Sequence, residues 1–276
     1  MPCRSQLITL AFGALLLATA SGAGLTKEDP LARVIAGEHR TADFTERDQW
    51  RNPHDTLSFF GLARDMTVVE IWPGGGWYTE ILAPYLKETG TFYAAHFPAD
   101  TDVDFYRESR ARYEEKLAAD SIYAEVQLTT FSPGTAHDIA PAGSVDRVFT
   151  FRNLHNFYMS GGSAGLTAAL EAFYDALRPG GVLGVVDHRL PEEAPDSAME
   201  DSGYIKQSLV IELAESAGFV LAGVSEVNAN PADEADHPAG VWTLPPTLRL
   251  GEEDRDHYKN IGESDRFTLK FRKPED

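Results

Sequence analysis

The sequence predicts an α/β fold, a mostly parallel sheet of about seven strands with helices on both faces. Three observations predict it. Short apolar runs alternate with helix-compatible stretches from residue 68 to the end of the chain, the order that βαβ units produce. The first run, "VVEIWPGGGWYTEIL", breaks at Gly74, Gly75 and Gly76 before it resumes as a helix. The 276 residues, 43% hydrophobic and 24% charged, are enough for one large domain. Such a domain buries roughly three-quarters of its unfolded surface.

The first residues stand apart from this pattern. "MPCRSQ" carries one positive charge, "LITLAFGALLLATA" is a short apolar core, and Ala18 and Ala20 form an A-x-A end. Residues 1–20 therefore predict a secretory signal peptide, and the apolar run is too short for an ordinary membrane span. The expectation is an exported, periplasmic protein with no stable membrane insertion after cleavage. Cys3 would leave with the peptide, so the mature chain would rest on its core without disulfides.

Residues 21–64 read as a polar helical lead-in, in which Pro53 suits an early helix position after Asn52. Residues 65–276 form the α/β domain. Its first strand is 68–72 and its first helix 77–87. "TFYAAHF" (91–97) is a strand, and 104–118 is a helix with Tyr106, Tyr113 and Leu117 roughly along one side. "YAEVQL" (123–128) and "DRVFTF" (146–151) are strands. A helix over 164–177 closes at "RPGG", and "GVLGVVDH" (181–188) is the fifth strand. Ile205, Leu209, Leu213 and Ala217 mark an amphipathic helix that stops at Gly218. Strands near 219–227 and 266–271 complete the set.

The formal net charge of −19 is spread along the chain as a solvated acidic surface. It excludes nucleic acid as a partner, because phosphate binding needs a basic groove and no Lys/Arg cluster is visible in the sequence. A small-molecule substrate is expected instead.

In a parallel sheet, ligands sit beyond the carboxyl ends of the strands. Glycines there remove Cβ atoms, so the backbone can turn at positive φ and a ligand can lie against the amides. "GGGWYT" has no lysine for a nucleotide P-loop, and Thr79 stands where a dinucleotide fingerprint needs its third glycine. Glu70 in the first strand, followed by glycines four and six residues on, resembles motif I of the class I S-adenosylmethionine-dependent methyltransferases. "VDRVFTFRNLHNF" is similar to the family's fourth strand, and "LRPGGVLGVVDHR" to its helix, turn and fifth strand. "YIKQSLVIELAESAGF" is similar to the helix before strand six, and "GESDRFTLKFRKP" to the terminal strand. A group of exported methyltransferase-like proteins resembles the chain in "WPGGGWYTEIL" and "NANPADEADHPAGVWTLPPTL" as well. The resemblance implies a Rossmann-like methyltransferase fold with an antiparallel last strand, and S-adenosylmethionine as cofactor.

The chain departs from the family at two positions. Trp72 stands where motif I has its first glycine, and so must point away from the ligand or form a new wall. His96 stands where strand two usually ends in a carboxylate that grips both ribose hydroxyls, and a neutral imidazole accepts only one hydrogen bond. Asp100, Asp102 and Asp104 are the nearby substitutes. The resemblance thus implies a cofactor site of Glu70, Trp72, Gly74, Gly75, Gly76, His96 and Asn153. Candidates for chemistry line the same edge: His155 after strand four, Asp187 and His188 after strand five, beside Arg152. Histidine titrates near neutrality and can take a proton from an acceptor hydroxyl or amine. No metal is expected, since His155, Asp187 and His188 show no metal-ligand spacing. The expected function is methyl transfer to a small or cell-envelope acceptor. The alternative is a non-catalytic or differently liganded binding protein on the same fold.

Overall fold

A strand with apolar side chains on both sides must lie inside a sheet that is covered twice. β1 (Thr67–Ile71) is such a strand: Val69 and Ile71 enter one hydrophobic cluster, and Val68 enters another on the opposite face. The structure is a computed structural model that describes Met1 and residues 29–275. The expected signal peptide, Met1 aside, and the first part of the lead-in lie outside the described residues.

The remaining strands are β2 (Thr91–His96), β3 (Gln127–Ser132), β4 (Ala136–Asp138), β5 (Val145–Phe151), β6 (Leu177–Leu190), β7 (Ile205–Lys206), β8 (Val220–Ser225) and β9 (Arg266–Arg272). Their order is β4-β3-β2-β1-β5-β6-β9-β8, with β7 paired to β6 at one side. From β3 to β6 all pairs are parallel, and β9 inserts antiparallel between β6 and β8. Seven strands of five residues or more carry the sheet, as the sequence predicts, and β4 and β7 are short additions. The chain leaves β1 toward β2 on one side and returns on the other at β5, so the order reverses between them. The carboxyl ends of β1 and β5 therefore open a crevice, the place where such sheets bind ligands.

Helices α1 (Pro30–Ile35), α2 (Ala42–Thr45), α3 (Asp48–Arg51) and α4 (Pro53–Phe59) form the lead-in, with Pro53 at the start of α4. They are held to α5 (Thr79–Leu86), the helix after β1, by one buried carboxylate. Glu80 accepts from the Thr41 amide at 2.9 Å, the Thr41 hydroxyl at 2.6 Å and Lys116 Nζ at 2.5 Å. The indole of Trp77 donates to the Phe44 carbonyl at 2.9 Å, which fixes α2 over the glycine turn. The later helices are α6 (Asp104–Ala119), α7 (Leu154–Ala176), α8 (Gln207–Ser216) and α9 (Arg255–Ile261).

Three expectations are displaced. Tyr123 closes a short 3-10 turn capped by Asp120, whose Oδ1 accepts from the Ile122 amide at 2.9 Å, so the third strand starts at Gln127 rather than at 123. The helix expected over 164–177 begins at Leu154 and passes a kink at Gly162, where φ is 58°. β6 begins directly at Leu177, so "RPGG" belongs to the strand. In α8 the residues fully packed on the core are Val210 and Ala214, with Leu209, Leu213 and Ala217 half-buried beside them. Ile205 lies before that helix, in β7.

Candidate active site

The crevice is a cleft of about 650 Å³ at the carboxyl ends of β1 and β5. Trp72, Gly74 and Gly75 line it from the first turn, Arg152, Asn153 and His155 from the second, and His188 from β6. The lead-in supplies Phe44, Arg47 and Arg51, and the segment after β8 supplies Val241, Trp242, Pro245 and Pro246. Trp242 and the two prolines thus form part of the cleft wall.

Glu70 is buried in β1 and accepts from the Thr79 hydroxyl at 2.8 Å, which in turn meets the Tyr113 hydroxyl at 2.9 Å. Burial pushes the Glu70 carboxyl up to about 8, against the pull of Thr79 and Arg152. It is therefore a neutral acid at pH 7, tying the strand to α5. The turn that follows is left-handed at Trp72 (φ 46°), Gly74 (φ 58°) and Gly76 (φ 81°), but not at Gly75. Trp72 thus holds a backbone conformation that glycine adopts freely. Its ring becomes a wall: Nε1 donates to the Phe131 carbonyl at 2.9 Å, and the ring lies 4.5 Å from Phe97 and 4.6 Å from Phe157.

His96 is buried at the end of β2, outside the lining of the cleft. Its Nδ1 accepts from the Phe97 amide at 2.8 Å, so the proton sits on Nε2, which donates to the Gly74 carbonyl at 3.3 Å. Burial holds its pKa down to about 4, and the ring stays neutral. Both nitrogens serve the turn, so neither faces a ligand. Asp100, Asp102 and Asp104 do not line the cleft, whereas Phe97, Tyr106 and Ser109 do. Asn153 donates to the Ile71 carbonyl at 2.8 Å and so links the two strand ends.

Asp187 is fully buried at the end of β6, and four N–H groups converge on it. Its Oδ2 accepts from the amides of Leu154 (2.7 Å) and His155 (3.3 Å), and its Oδ1 from the His188 amide at 2.8 Å. His155 Nδ1 completes the set at 2.7 Å from Oδ1. A carboxylate only accepts, so the imidazole proton is on Nδ1 and Nε2 keeps a free lone pair. His188 shares a 2.5 Å hydrogen bond with the Ser264 hydroxyl, 5.0 Å ring to ring from His155. Burial, then the neighbouring His155 and Arg266, hold its pKa well below the usual range.

The sequence spacing did not anticipate that ligand atoms of His155, Asp187 and His188 fall within 4.8 Å of one another. The Asp187 oxygens are already occupied by N–H donors, and His188 lies in the field of Arg266, Arg152 and Arg51, which opposes a cation.

Of a second group, the sequence pointed only to Arg152. Glu263, on the loop before β9, takes Arg47 Nε at 2.5 Å, Arg51 Nε at 3.1 Å and Arg266, with Arg152 at 4.0 Å. Burial pushes the Glu263 carboxyl up, but Arg266, Arg51, Arg152 and Arg47 together hold it far below the usual range. These residues are up to 216 positions apart in the chain, so no local spacing announces them.

No family model matches the chain, and no curated protein sequence does. Solved structures do. An S-adenosylmethionine-dependent methyltransferase from Aquifex aeolicus superposes with a TM-score of 0.55 at 18% identity, over 83% of this chain and 93% of its own. An arsenic(III) S-adenosylmethionine methyltransferase from Chlamydomonas reinhardtii gives 0.52 at 13% identity, over 89% and 73%. The (4+2)-cyclase SpnF gives 0.58 at 15% identity, over 89% and 92%. The chain therefore has the Rossmann-like fold of these enzymes. Since one of the three is named for a cyclisation, the reaction has to be argued from the site.

Proposed function

We propose that the chain transfers a methyl group from S-adenosylmethionine to a small or cell-envelope acceptor in this cleft. One observation carries the reading: the glycine turn after β1 and the Asp187-held His155 line the same cavity. The turn fits the donor. A Cβ on Gly74 would meet nothing within 4 Å, so its open side is free for a ligand, and Gly75 borders the same space. Gly74, Gly75 and Asn153 would hold the donor, Glu70 would steady the turn from behind, and Trp72, Phe97 and Tyr106 would offer aromatic faces to it. The donor, when bound, supplies an electrophilic methyl carbon. His155 Nε2 takes the proton from the acceptor hydroxyl or amine, and Asp187 stabilises the imidazolium that results. His188, neutral beside it, accepts or donates a hydrogen bond without competing for that proton. Trp242, Pro245 and Pro246 limit the entry of water.

Calorimetry with S-adenosylhomocysteine tests this. Binding is expected, and folded protein with none at millimolar ligand would remove the donor from the account. Export is part of the proposal and rests on the pattern of residues 1–20. Mass spectrometry of the native N-terminus should find cleavage close to Ala20; an intact Met1 on a cytoplasmic protein would refute it.

A further inference from the structure

We infer that the arginines gathered around Glu263 form a subsite for an anionic group, carboxylate or phosphate, on the methyl acceptor; this rests on the donor occupying the glycine turn. The chain as a whole carries −19, yet the cleft is lined by five arginines against two glutamates, one of which is the neutral Glu70. Four guanidiniums surround the single carboxylate of Glu263, so a net positive charge stays in the cleft. A buried charge is retained cheaply only when it is paired.

The pairing is incomplete at two named positions. Arg51 is 2% exposed, and its Nη1 has no hydrogen-bond partner among the described residues. Arg152 has no side-chain hydrogen bond among the described residues, only the 4.0 Å approach to Glu263. Its backbone is nevertheless set, at φ 63° with its amide on the Val186 carbonyl at 2.7 Å. Desolvation and the neighbouring guanidiniums push Arg152, whose side chain is still 26% exposed, down to about 10, and push the buried Arg51 down too, as crowded like charges do. A planar fork of donors without acceptors, in a cleft, matches a carboxylate or a phosphate.

The anion belongs to the acceptor rather than to the donor. S-adenosylmethionine is itself a net cation, so its own carboxylate cannot neutralise the cleft. The arginines also lie on the side of the proposed base: Arg152 is three residues from His155 along the turn after β5, and Arg266, Arg152 and Arg51 are near enough to depress His188. An acceptor held there by its anionic end has its other end beside His155.

Calorimetry on the purified chain with inorganic phosphate and with citrate, at matched ionic strength, tests the inference. At least one should bind, and the two titrations show whether phosphate or carboxylate is preferred. Arg152→Gln should weaken that anion by at least about tenfold, the worth of a charge-assisted bond. Arg152→Lys should lose part of it, and S-adenosylhomocysteine affinity should stay unchanged in both. The Arg152 side chain makes no hydrogen bond among the described residues and reaches Glu263 only at 4.0 Å, so circular dichroism should report an intact fold. No binding of either anion would overturn the inference. So would an equal loss of S-adenosylhomocysteine in Arg152→Gln, which would give the arginines to the donor's carboxylate. Anion binding sensitive to Arg152 in a protein that ignores S-adenosylhomocysteine would support the subsite and refute the donor.

Discussion

His155 Nδ1 donates to Asp187 Oδ1 at 2.7 Å while Oδ2 of the same carboxylate accepts from the Leu154 amide that opens α7. One side chain therefore caps a helix and sets the tautomer of the proposed base. The two jobs separate by substitution. His155→Gln should lower kcat by about 10²–10⁴ with S-adenosylhomocysteine affinity unchanged, the usual worth of a general base. Asp187→Asn should lower kcat and also cost about 1–3 kcal/mol of stability, because an amide N–H₂ would face N–H donors. Stopped assays and urea denaturation read the two effects. A fully active His155→Gln would remove the base.

The sheet was legible because each long strand announces itself locally, as an apolar run bounded by turn residues. β1 shows both the strand and the glycine turn within one short stretch, and β9 was placed through its resemblance to a terminal strand. What failed locally was decided at a distance. The start of α7 depends on Asp187, 33 residues further on, and "MSGGSAG" reads as a break when that cap is unseen. His96 sits where a ribose-binding carboxylate was expected, but the Gly74 carbonyl and the Phe97 amide have claimed its nitrogens. The arginine group is a meeting of the lead-in, the β5 turn and the β9 entry, and exists only after folding.

Glu70 makes stability fall with pH. Its carboxyl is raised from 4.5 to about 8 in the fold, so between those values the folded chain holds a proton that the unfolded chain has released. Stability is then lost as pH rises through that window, and the loss is complete above about 8. Glu70→Gln, a neutral mimic of the acid, should flatten this slope. Urea midpoints across the window compare the two proteins, and parallel curves would show that Glu70 is ionised in the fold.

Glu263 works in the opposite sense. Its carboxyl is held far below 4.5 by the arginines, so its contribution is complete above 4.5 and fades as pH drops beneath it. Glu263→Gln should destabilise the fold by about 3–5 kcal/mol, since the guanidiniums lose the buried carboxylate that they share. Added phosphate should return part of that loss as a higher Tm. A variant as stable as the parent would mean that the cluster is solvated.

Gly75 gives a cleaner test of ligand binding than its neighbours. Its φ is not left-handed, and a Cβ would meet only Phe44 Cζ at an ordinary 3.8 Å. Gly75→Val should therefore leave Tm nearly unchanged while filling the cleft and abolishing S-adenosylhomocysteine binding. Gly74→Val should lose both, because φ 58° costs a β-branched residue about 1–2 kcal/mol or more. Retained binding in Gly75→Val would place the ligand elsewhere.

Trp72 holds a conformation that favours glycine, and its ring must offset that cost. The left-handed backbone costs about 1–2 kcal/mol. Against it stand the Nε1 bond to Phe131 and ring contacts with Phe97, Phe157 and Tyr106, the last at 5.6 Å. Deleting a fully buried aromatic side chain typically costs about 3–5 kcal/mol, and Trp72 is partly buried, so the lower end of that range applies. The packing term still wins, so Trp72→Gly should lower stability by about 1–2 kcal/mol even though it removes the strain. Trp72→Phe keeps the backbone cost and most of the packing but loses the indole bond, so about 1 kcal/mol is expected. Both should weaken S-adenosylhomocysteine, Gly more than Phe, because the ring is a wall of the cleft. Urea denaturation with calorimetry separates the two effects. A Trp72→Gly variant more stable than the parent would show that the ring does not repay its backbone, and one that binds more tightly would show that the tryptophan obstructs the site.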